Sequence, residues 1–245
     1  MLNIFKAVFV RIVKNVFYIA GLLIAAVVTY LFTSGTYTIG FLNGKSANDI
    51  AVFVSGAMIF FLTIFVPILL GVEYSDGTFR NKLIAGHTQI TVYMGTLMGV
   101  TAATWIMVLI WLISGIVGGV RPDVRFTVHA IEILAYLTAL NSFLVMLGIR
   151  IKKQFPSSLT AIGILYLSFN GILFGNFLMM DATGAWLEIS KILYNVPAMG
   201  QWFSSTCFYE EILEPSLAVK VMISLVIVAV TSFLGMFRLN GRDVD

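Results

Sequence analysis

The residue whose type and position are best suited to chemistry is Glu132, an ionisable side chain well inside an apolar stretch. His129 lies one helical turn before it and Tyr136 one turn after it, so the three share a helix face. Such a group usually faces a bundle interior or a wet cavity, as a functional polar site. It is also near the end of its stretch, where it can simply reach water or pair with Arg121 or Arg125. Both interpretations stay open, and two ligands are too few for a zinc site.

Other patterns for catalysis or cofactor binding are missing from the sequence. It contains no Gly-x-Ser-x-Gly and no His-Glu-x-x-His, and its two histidines are too few for a histidine-rich metal centre. The segment Gly40–Ser46 nearly matches a phosphate-binding loop, but its glycines are one residue too close and no strand precedes it. The sequence therefore predicts no enzyme, no metal and no nucleotide site in this chain.

A charged segment from Glu73 to His87 separates two apolar runs. It predicts a short helix, because capping residues stand at both ends and apolar residues recur at helical spacing. Lipid cannot solvate its charges, so this helix must lie in water with its apolar side on lipid or on another protein. The N-cap candidates are Ser75 and Asp76, the C-terminal glycine is Gly86, the apolar residues are Phe79, Leu83 and Ile84, and the charged residues are Asp76, Arg80 and Lys82.

The composition is that of an integral membrane protein. Of the 245 residues, 59% are hydrophobic and 11% are charged, whereas soluble domains carry about 25% charged residues. The net charge of +3 is small and spread over many loops, which argues against nucleic acid as a partner. Cys207 is the single cysteine, so a disulfide can form only between two copies of the chain.

Six apolar runs are long enough to cross a bilayer, at about residues 16–33, 52–72, 94–118, 126–149, 157–180 and 216–237. The predicted fold class is all-α integral membrane. Residues 1–15 form an interfacial amphipathic helix, and residues 16–245 form a six-span domain with a charged loop at 73–91 and a long aromatic and acidic loop at 181–215. The apolar side of the first helix comprises Leu2, Phe5, Phe9, Ile12 and Val13.

The distribution of basic residues predicts the orientation. Six spans make the loops alternate between sides, and ten of the 15 Lys and Arg residues fall on the side that holds both termini and the charged segment. Cytoplasmic loops carry the excess of Lys and Arg. We therefore expect a multi-pass protein with both termini in the cytoplasm. The ten are Lys6, Arg11, Lys14, Arg80, Lys82, Arg150, Lys152, Lys153, Arg238 and Arg242, against Lys45, Arg121, Arg125, Lys191 and Lys220 on the other side.

The charged loop at 73–91 and the six-span layout around it resemble those of type-2 ABC exporter permeases. The resemblance implies a coupling loop whose short helix rests in a groove of a separate ATPase subunit, which binds ATP and Mg²⁺. Family members often carry a proline near Gly86 followed by a basic residue, and His87-Thr88-Gln89 stand here instead. The implied ATPase-coupling residues are Glu73, Asp76, Gly77, Thr78, Phe79, Arg80, Leu83 and Gly86.

In the resembling family the second and fifth spans line a two-fold axis and the substrate path. The implied path residues are Phe53, Phe60, Phe61, Phe65, Asn170 and Asn176. The residues themselves support only helix contact, since aromatics at helical spacing are more often packed or lipid-facing, and Gly171 and Gly175 form a small-xxx-small pair.

The expected function is that of a permease subunit of an ATP-driven exporter in a bacterial plasma membrane, paired with a second copy or a sister permease. The phenylalanines that face the bilayer, and a path without buried charge pairs, predict an apolar or amphipathic cargo such as a peptide, toxin or antimicrobial compound. The alternative is an ion-coupled secondary transporter that uses Glu132. A scaffold or sensor subunit also stays open.

Overall fold

The computed structural model describes residues 1–179, 183–206 and 214–237, with side chains left undescribed at 177–179. Within these ranges the regular structure consists of α-helices and one turn of 3₁₀-helix, and no strand occurs. The helices are α1 Leu2–Val13, α2 Val16–Thr33, α3 Ala47–Ser75, α4 Thr78–Ile84, α5 Gln89–Val117, α6 Val124–Ile151, α7 Gln154–Met179, α8 Gly184–Tyr194, α9 Ala198–Ser205 and α10 Leu217–Met236, with a 3₁₀ turn at Gly40–Leu42.

Six of the described helices, α2, α3, α5, α6, α7 and α10, are long and apolar enough to span a membrane. The chain is therefore a multi-pass membrane protein, and the predicted fold class is confirmed. The spans largely follow the predicted runs, but α3 continues to Ser75. The first residues of the charged segment, including Glu73, thus belong to a spanning helix.

The centre of the bundle is formed by α3 and α6. These two are the most buried spans, whereas α2, α7 and α10 expose most of their length. The helix α6 packs on α3, α5 and α10, and α3 also packs on α2 and α7. Apolar side chains on the outer surfaces of the peripheral spans suit contact with lipid rather than water.

The first helix, α1, lies against α5. Two glycines of α5 make the close approach possible, because a Cβ atom at Gly95 would lie 2.7 Å from Ile4 and one at Gly99 would lie 2.9 Å from Val8. Small residues four apart let two helices pack backbone to backbone. The helix α1 is therefore fixed to the bundle along its length.

The buried face of α1 differs from the predicted apolar face. Ile4, Val8 and Ile12 are buried, whereas Leu2 and Val13 are exposed. Ile4, Val8 and Ile12 repeat every four residues and match the spacing of the α5 glycines. The predicted side was one that faces the membrane interface, and the exposure of Leu2 and Val13 to the surroundings of the protein does not test it. The position of the neighbouring helix decides which stripe of an apolar helix is covered by protein.

Opposite the α4 end of the bundle, the loop after α7 folds into α8 and α9. The helix α8 exposes Trp186 and Leu193, whereas α9 is inserted among α3, α6 and α7. Trp202 of α9 donates from Nε1 to the carbonyls of Val52 and Phe53, at 3.1 Å each. Predictions on Asp181, Cys207, residues 208–211 and the tail 238–245 lie outside the described residues.

Candidate functional site

The charged segment forms a helix that begins differently from the prediction. Ser75 is the last residue of α3, and its Oγ donates to the carbonyl of Val72 at 3.0 Å. The N-cap of α4 is Gly77, with φ of 66° and no side-chain cap bond. The prediction of Ser75 or Asp76 as the N-cap was wrong, because α3 continues through Ser75 and the chain reverses at a left-handed residue, where glycine is favoured.

The far end of α4 is closed by Gly86, the glycine expected there. Gly86 has φ of 87°, its N–H donates to the carbonyl of Leu83 at 2.9 Å, and the N–H of His87 donates to that of Lys82 at 3.3 Å. These bonds satisfy carbonyls that the last turn leaves free. The seven-residue helix α4 thus has a defined stop as well as a defined start.

Glu73 is the centre of a group of charges that we call the Glu73 cluster, with Arg11, Asp76 and Lys82. The Glu73 carboxylate is 3% exposed and lies 2.8 Å from Lys82 Nζ and 3.5 Å from Arg11 Nη1. Arg11 also contacts Asp76 Oδ2 at 3.4 Å. A buried carboxylate is stable only when paired and hydrogen-bonded. The cluster therefore ties α1 and α4 to the end of α3.

A pair of aromatic rings provides a second attachment for α4. Phe79 is buried and stacks on Tyr74 with ring centroids 4.6 Å apart. Tyr74 Oη in turn donates to the carbonyl of Ile149, near the end of α6. The helix α4 is thus connected to α1, α3 and α6, and its position follows those helices.

The predicted coupling residues fall into three groups by exposure. Glu73 and Phe79 are buried against the bundle, Asp76, Arg80 and Gly86 are exposed, and Gly77, Thr78 and Leu83 are half-buried. Ile84, expected on the apolar side that contacts lipid or another protein, is 75% exposed. It lies one turn after Arg80, so α4 presents a surface with both a positive charge and an apolar side chain. No ion pair of Arg80 occurs within the described residues.

At the other end of the bundle, Glu132 has hydrogen-bond and ion-pair partners that could not be predicted from the sequence. Its Oε2 accepts from Ser205 Oγ at 2.8 Å, contacts His129 Nδ1 at 3.0 Å and lies 3.1 Å from Lys220 Nζ. Lys220 is completely buried and also contacts Glu214 Oε1 at 2.8 Å. We call these five residues the Glu132 cluster. It joins α6, the last residue of α9 and the first turn of α10.

The cluster corrects two expectations. Glu132 neither reaches water nor pairs with Arg121 or Arg125, because Lys220 of α10 lies closer. Tyr136 is separate from the carboxylate's partners, and its hydroxyl shares a 3.2 Å hydrogen bond with Ser55 of α3. The buried charge pair lies on α6 and α10, and not on α3 and α7, the spans of the predicted path.

Three residues of the cluster could in principle hold a cation, since ligand atoms of His129, Glu132 and Glu214 lie within 4.8 Å of one another. The ammonium of Lys220 already contacts both carboxylates. It supplies the positive charge that a metal would bring, so the four side chains form a satisfied salt bridge.

The predicted path phenylalanines do not line one passage within a single chain. Phe61 and Phe65 stack with centroids 5.3 Å apart, and Phe61 covers Gly21 of α2. Phe53 contacts the ring of Trp202, and Phe60 alone of the four is exposed, at 45%. Three of these rings therefore contribute to packing between α3 and its neighbours.

The two predicted asparagines of α7 differ from each other. Asn170 is exposed, and its Nδ2 donates to the carbonyl of Tyr166, at 2.8 Å, within the same helix. Asn176 is 8% exposed, and among the described residues neither polar atom of its side-chain amide has a hydrogen-bond partner. Polar groups on the outer face of a span are typical of contact with another helix rather than with lipid.

No protein-family profile matches the chain, and no curated protein is significantly similar to it.

Proposed function

We propose that the chain is the membrane-spanning permease subunit of an ATP-driven ABC exporter. The observation that carries this proposal is α4, a short helix between two spans that is anchored on one side by Glu73 and Phe79 and exposes Arg80 and Ile84 on the other. A partner that moves α4 must also move the spans to which it is attached.

The contacts of α4 suggest how motion would pass into the membrane. The Glu73–Lys82 pair links α4 to α3, and the Tyr74–Phe79 stack links it to α6 through the Ile149 carbonyl. Arg11 links the end of α3, to which α4 is paired, to α1, which packs on α5. When two partner ATPases bind ATP with Mg²⁺ and close, α4 would carry these spans toward a second arrangement that opens the other side.

The orientation proposed for this mechanism places α4 and both termini in the cytoplasm of a bacterial cell, as the ten of 15 basic residues favour. In that orientation the Glu132 cluster and the helices α8 and α9 lie at the outer surface. ATP is available in the cytoplasm alone, so the proposed coupling requires that α4 lie on that side.

Two permease copies, or this chain and a sister, would form the complete pathway. The exposed face of α7 supports this pairing, because it carries Asn170 between the exposed rings of Tyr166 and Phe174. A polar amide there is better accommodated by a partner helix than by lipid. The cargo we propose is apolar or amphipathic, such as a peptide, toxin or antimicrobial compound, in keeping with the exposed Phe60 of α3.

Co-purification tests the proposal directly. The full chain would be solubilised with the ATPase encoded nearest to it, with and without ATP, and compared with the variants Arg80→Ala and Ile84→Asp. Arg125→Ala is the matched control, since Arg125 is exposed at the opposite end of the bundle. We expect the native chain and Arg125→Ala to retain the ATPase, and the two α4 variants to lose it. No association in any nucleotide state would overturn the proposal.

Ion-coupled secondary transport is a second candidate, and the buried Glu132 cluster favours it. Intramembrane ionisable residues often mark ion or proton pathways, and a cavity of about 390 Å³ touches Arg125, His129, Glu132 and Glu214. The chain reconstituted alone would then transport under a proton or sodium gradient, and Glu132→Gln would abolish that transport. Retention of ATPase coupling by Glu132→Gln would instead favour the exporter.

A further inference from the structure

A long groove lies between α7 and α10, with α6 as its floor. Its volume is about 950 Å³, and α9 together with the end of α8 covers one end. The walls are formed by residues 161–168 of α7 and 218–231 of α10, and the floor by residues 136–144 of α6. The groove opens sideways through α10 side chains such as Met222 and Val226, which are more than half exposed.

Apart from five polar side chains, the lining is aliphatic or aromatic. Each of the five already makes a hydrogen bond within the described part of the chain, so the groove offers a polar ligand few groups that would orient it. A ligand site normally presents such groups where it must orient a polar molecule. The bonds run from Thr63 to the Ile59 carbonyl, from Tyr136 to Ser55, from Ser168 to the Ile164 carbonyl, from Gln201 to Ser224, and from Thr231 to the Ile227 carbonyl.

The groove is long and narrow, a shape that suits an extended hydrocarbon chain. Along α10 the lining residues recur at Ala218, Met222, Val226 and Val230, four residues apart. At a rise of about 1.5 Å per residue this stripe is about 20 Å long, two thirds of the roughly 30 Å hydrocarbon core of a bilayer. It follows the axis of a spanning helix, so its direction is also that of lipid acyl chains.

The groove is distinct from the surface that we assigned to a second permease copy. With 3.6 residues per turn, the groove-lining face of α7 points away from the face that carries Tyr166, Asn170 and Phe174. A second copy seated on the latter face leaves the groove open to the bilayer. The α7 residues that line the groove are Ala161, Ile164, Leu165 and Ser168.

We propose that this groove binds an acyl chain of a bilayer phospholipid. A lining that is mostly apolar, and whose few polar side chains are already hydrogen-bonded, suits hydrocarbon better than a hydrated ligand, and hydrocarbon is the solvent that surrounds the opening. The acyl chain would lie along α10, with its carbonyl end either at the α9 end of the groove or at the opposite end. This site goes beyond the proposed transport function, and it requires no ATPase.

The experiment is photo-crosslinking of the full chain in lipid nanodiscs with a phosphatidylcholine that carries a diazirine on its acyl chain, followed by peptide mass spectrometry. We expect label on residues 161–168 and 218–231 at several times the level on the equally exposed Leu23 and Val27 of α2. Equal labelling of both surfaces would mean ordinary lipid contact and would overturn the proposal.

A matched pair of substitutions separates filling of the groove from a general effect of a large side chain. Val226 lines the groove and is 55% exposed, whereas the adjacent Leu225 does not line it and is 58% exposed. Val226→Trp should reduce the groove label several-fold, because the indole ring would occupy space that the acyl chain needs. Leu225→Trp should leave it unchanged. Equal effects of the two substitutions, or no effect of Val226→Trp, would contradict the proposal.

A second pair on the opposite wall guards against a folding defect at α10. Ile164 lines the groove and Ile162 does not, with exposures of 36% and 42%. Ile164→Trp should lower the label and Ile162→Trp should not.

The substitution Val226→Cys, in a Cys207→Ser background, tests whether a second protein copy occupies the groove. Efficient disulfide-linked dimers without lipid label would show that protein covers the groove, and would overturn the proposal.

Discussion

The Glu73 cluster and the Glu132 cluster, at opposite ends of the bundle, have similar arrangements of charges but differ in how deeply they are buried in the protein. Each centres on a glutamate whose side chain is almost completely buried and is paired with a lysine, and each attaches a short helix to the spans. Lys220 is completely buried between two carboxylates, whereas Lys82 is 11% and Arg11 31% exposed. The Glu132 cluster therefore lies within the protein, and the Glu73 cluster lies at its rim, beside water.

This difference has consequences for movement. Charges at a rim can exchange partners with water as they shift, so α4 can move at modest cost. Charges inside the bundle cannot, because separation leaves them without solvation. We therefore expect the α4 end to rearrange during function, while the Glu132 cluster holds α9 in place until the spans themselves separate.

The largest effect is expected at Lys220. Lys220→Met leaves Glu132 and Glu214 without their shared cation, which should cost about 3–5 kcal/mol because a buried charge loses its partner. Thermal unfolding in detergent measures the change. The control is Lys191→Met, whose lysine pairs with the exposed Glu188 at 2.9 Å and should cost at most about 1 kcal/mol. Equal effects of the two would show that burial of Lys220 contributes little.

A smaller loss is expected from the Glu73 cluster. Glu73→Ala removes the partner of Lys82, but Arg11 and Lys82 can turn toward water, so about 2 kcal/mol is expected. The same unfolding assay measures it. Combining Glu73→Ala with Lys82→Met should cost less than the sum of the two single changes, because they share one interaction. Strict additivity would contradict the pairing.

Packing of α9 on α3 predicts an intermediate loss. A Cβ atom at Gly56 would lie 2.3 Å from the ring of Trp202, so Gly56→Ala should cost about 1–3 kcal/mol through overpacking. Gly163 of α7 has open space around it, and Gly163→Ala should be neutral or slightly stabilising. Tryptophan fluorescence should respond to the first substitution and not to the second. A stable Gly56→Ala variant with unchanged fluorescence would contradict this packing.

The smallest effect on stability is expected on the exposed side of α4. Gly86→Ala forces alanine into a left-handed conformation and should cost about 1 kcal/mol, while Arg80→Ala should stay within about 0.5 kcal/mol. The comparison is informative because Arg80→Ala should still abolish ATPase binding. Unfolding and co-purification on the same preparations separate these properties, and a large stability loss in Arg80→Ala would show that Arg80 has a structural role.

Local sequence patterns were enough to predict the positions of the six spans and the C-terminal end of α4. Uninterrupted apolar runs located all six spans, and Gly86 marked the helix end because glycine adopts the left-handed conformation at low cost. The start of α4 was missed, since Ser75 and Asp76 are equally suited to end one helix and to begin another. A capping residue identifies a boundary without specifying which helix it serves.

The partners of Glu132 could not be found along the chain. Lys220 follows it by 88 positions, and Ser205 lies in a loop helix whose insertion into the bundle no local pattern indicates. The same holds for Arg11 beside Glu73 and for the covered stripe of α1. Apolar periodicity and turn residues act over a few residues, so they specify helices and their ends. Contacts between distant helices depend on how those helices pack, and they appear only in the folded bundle.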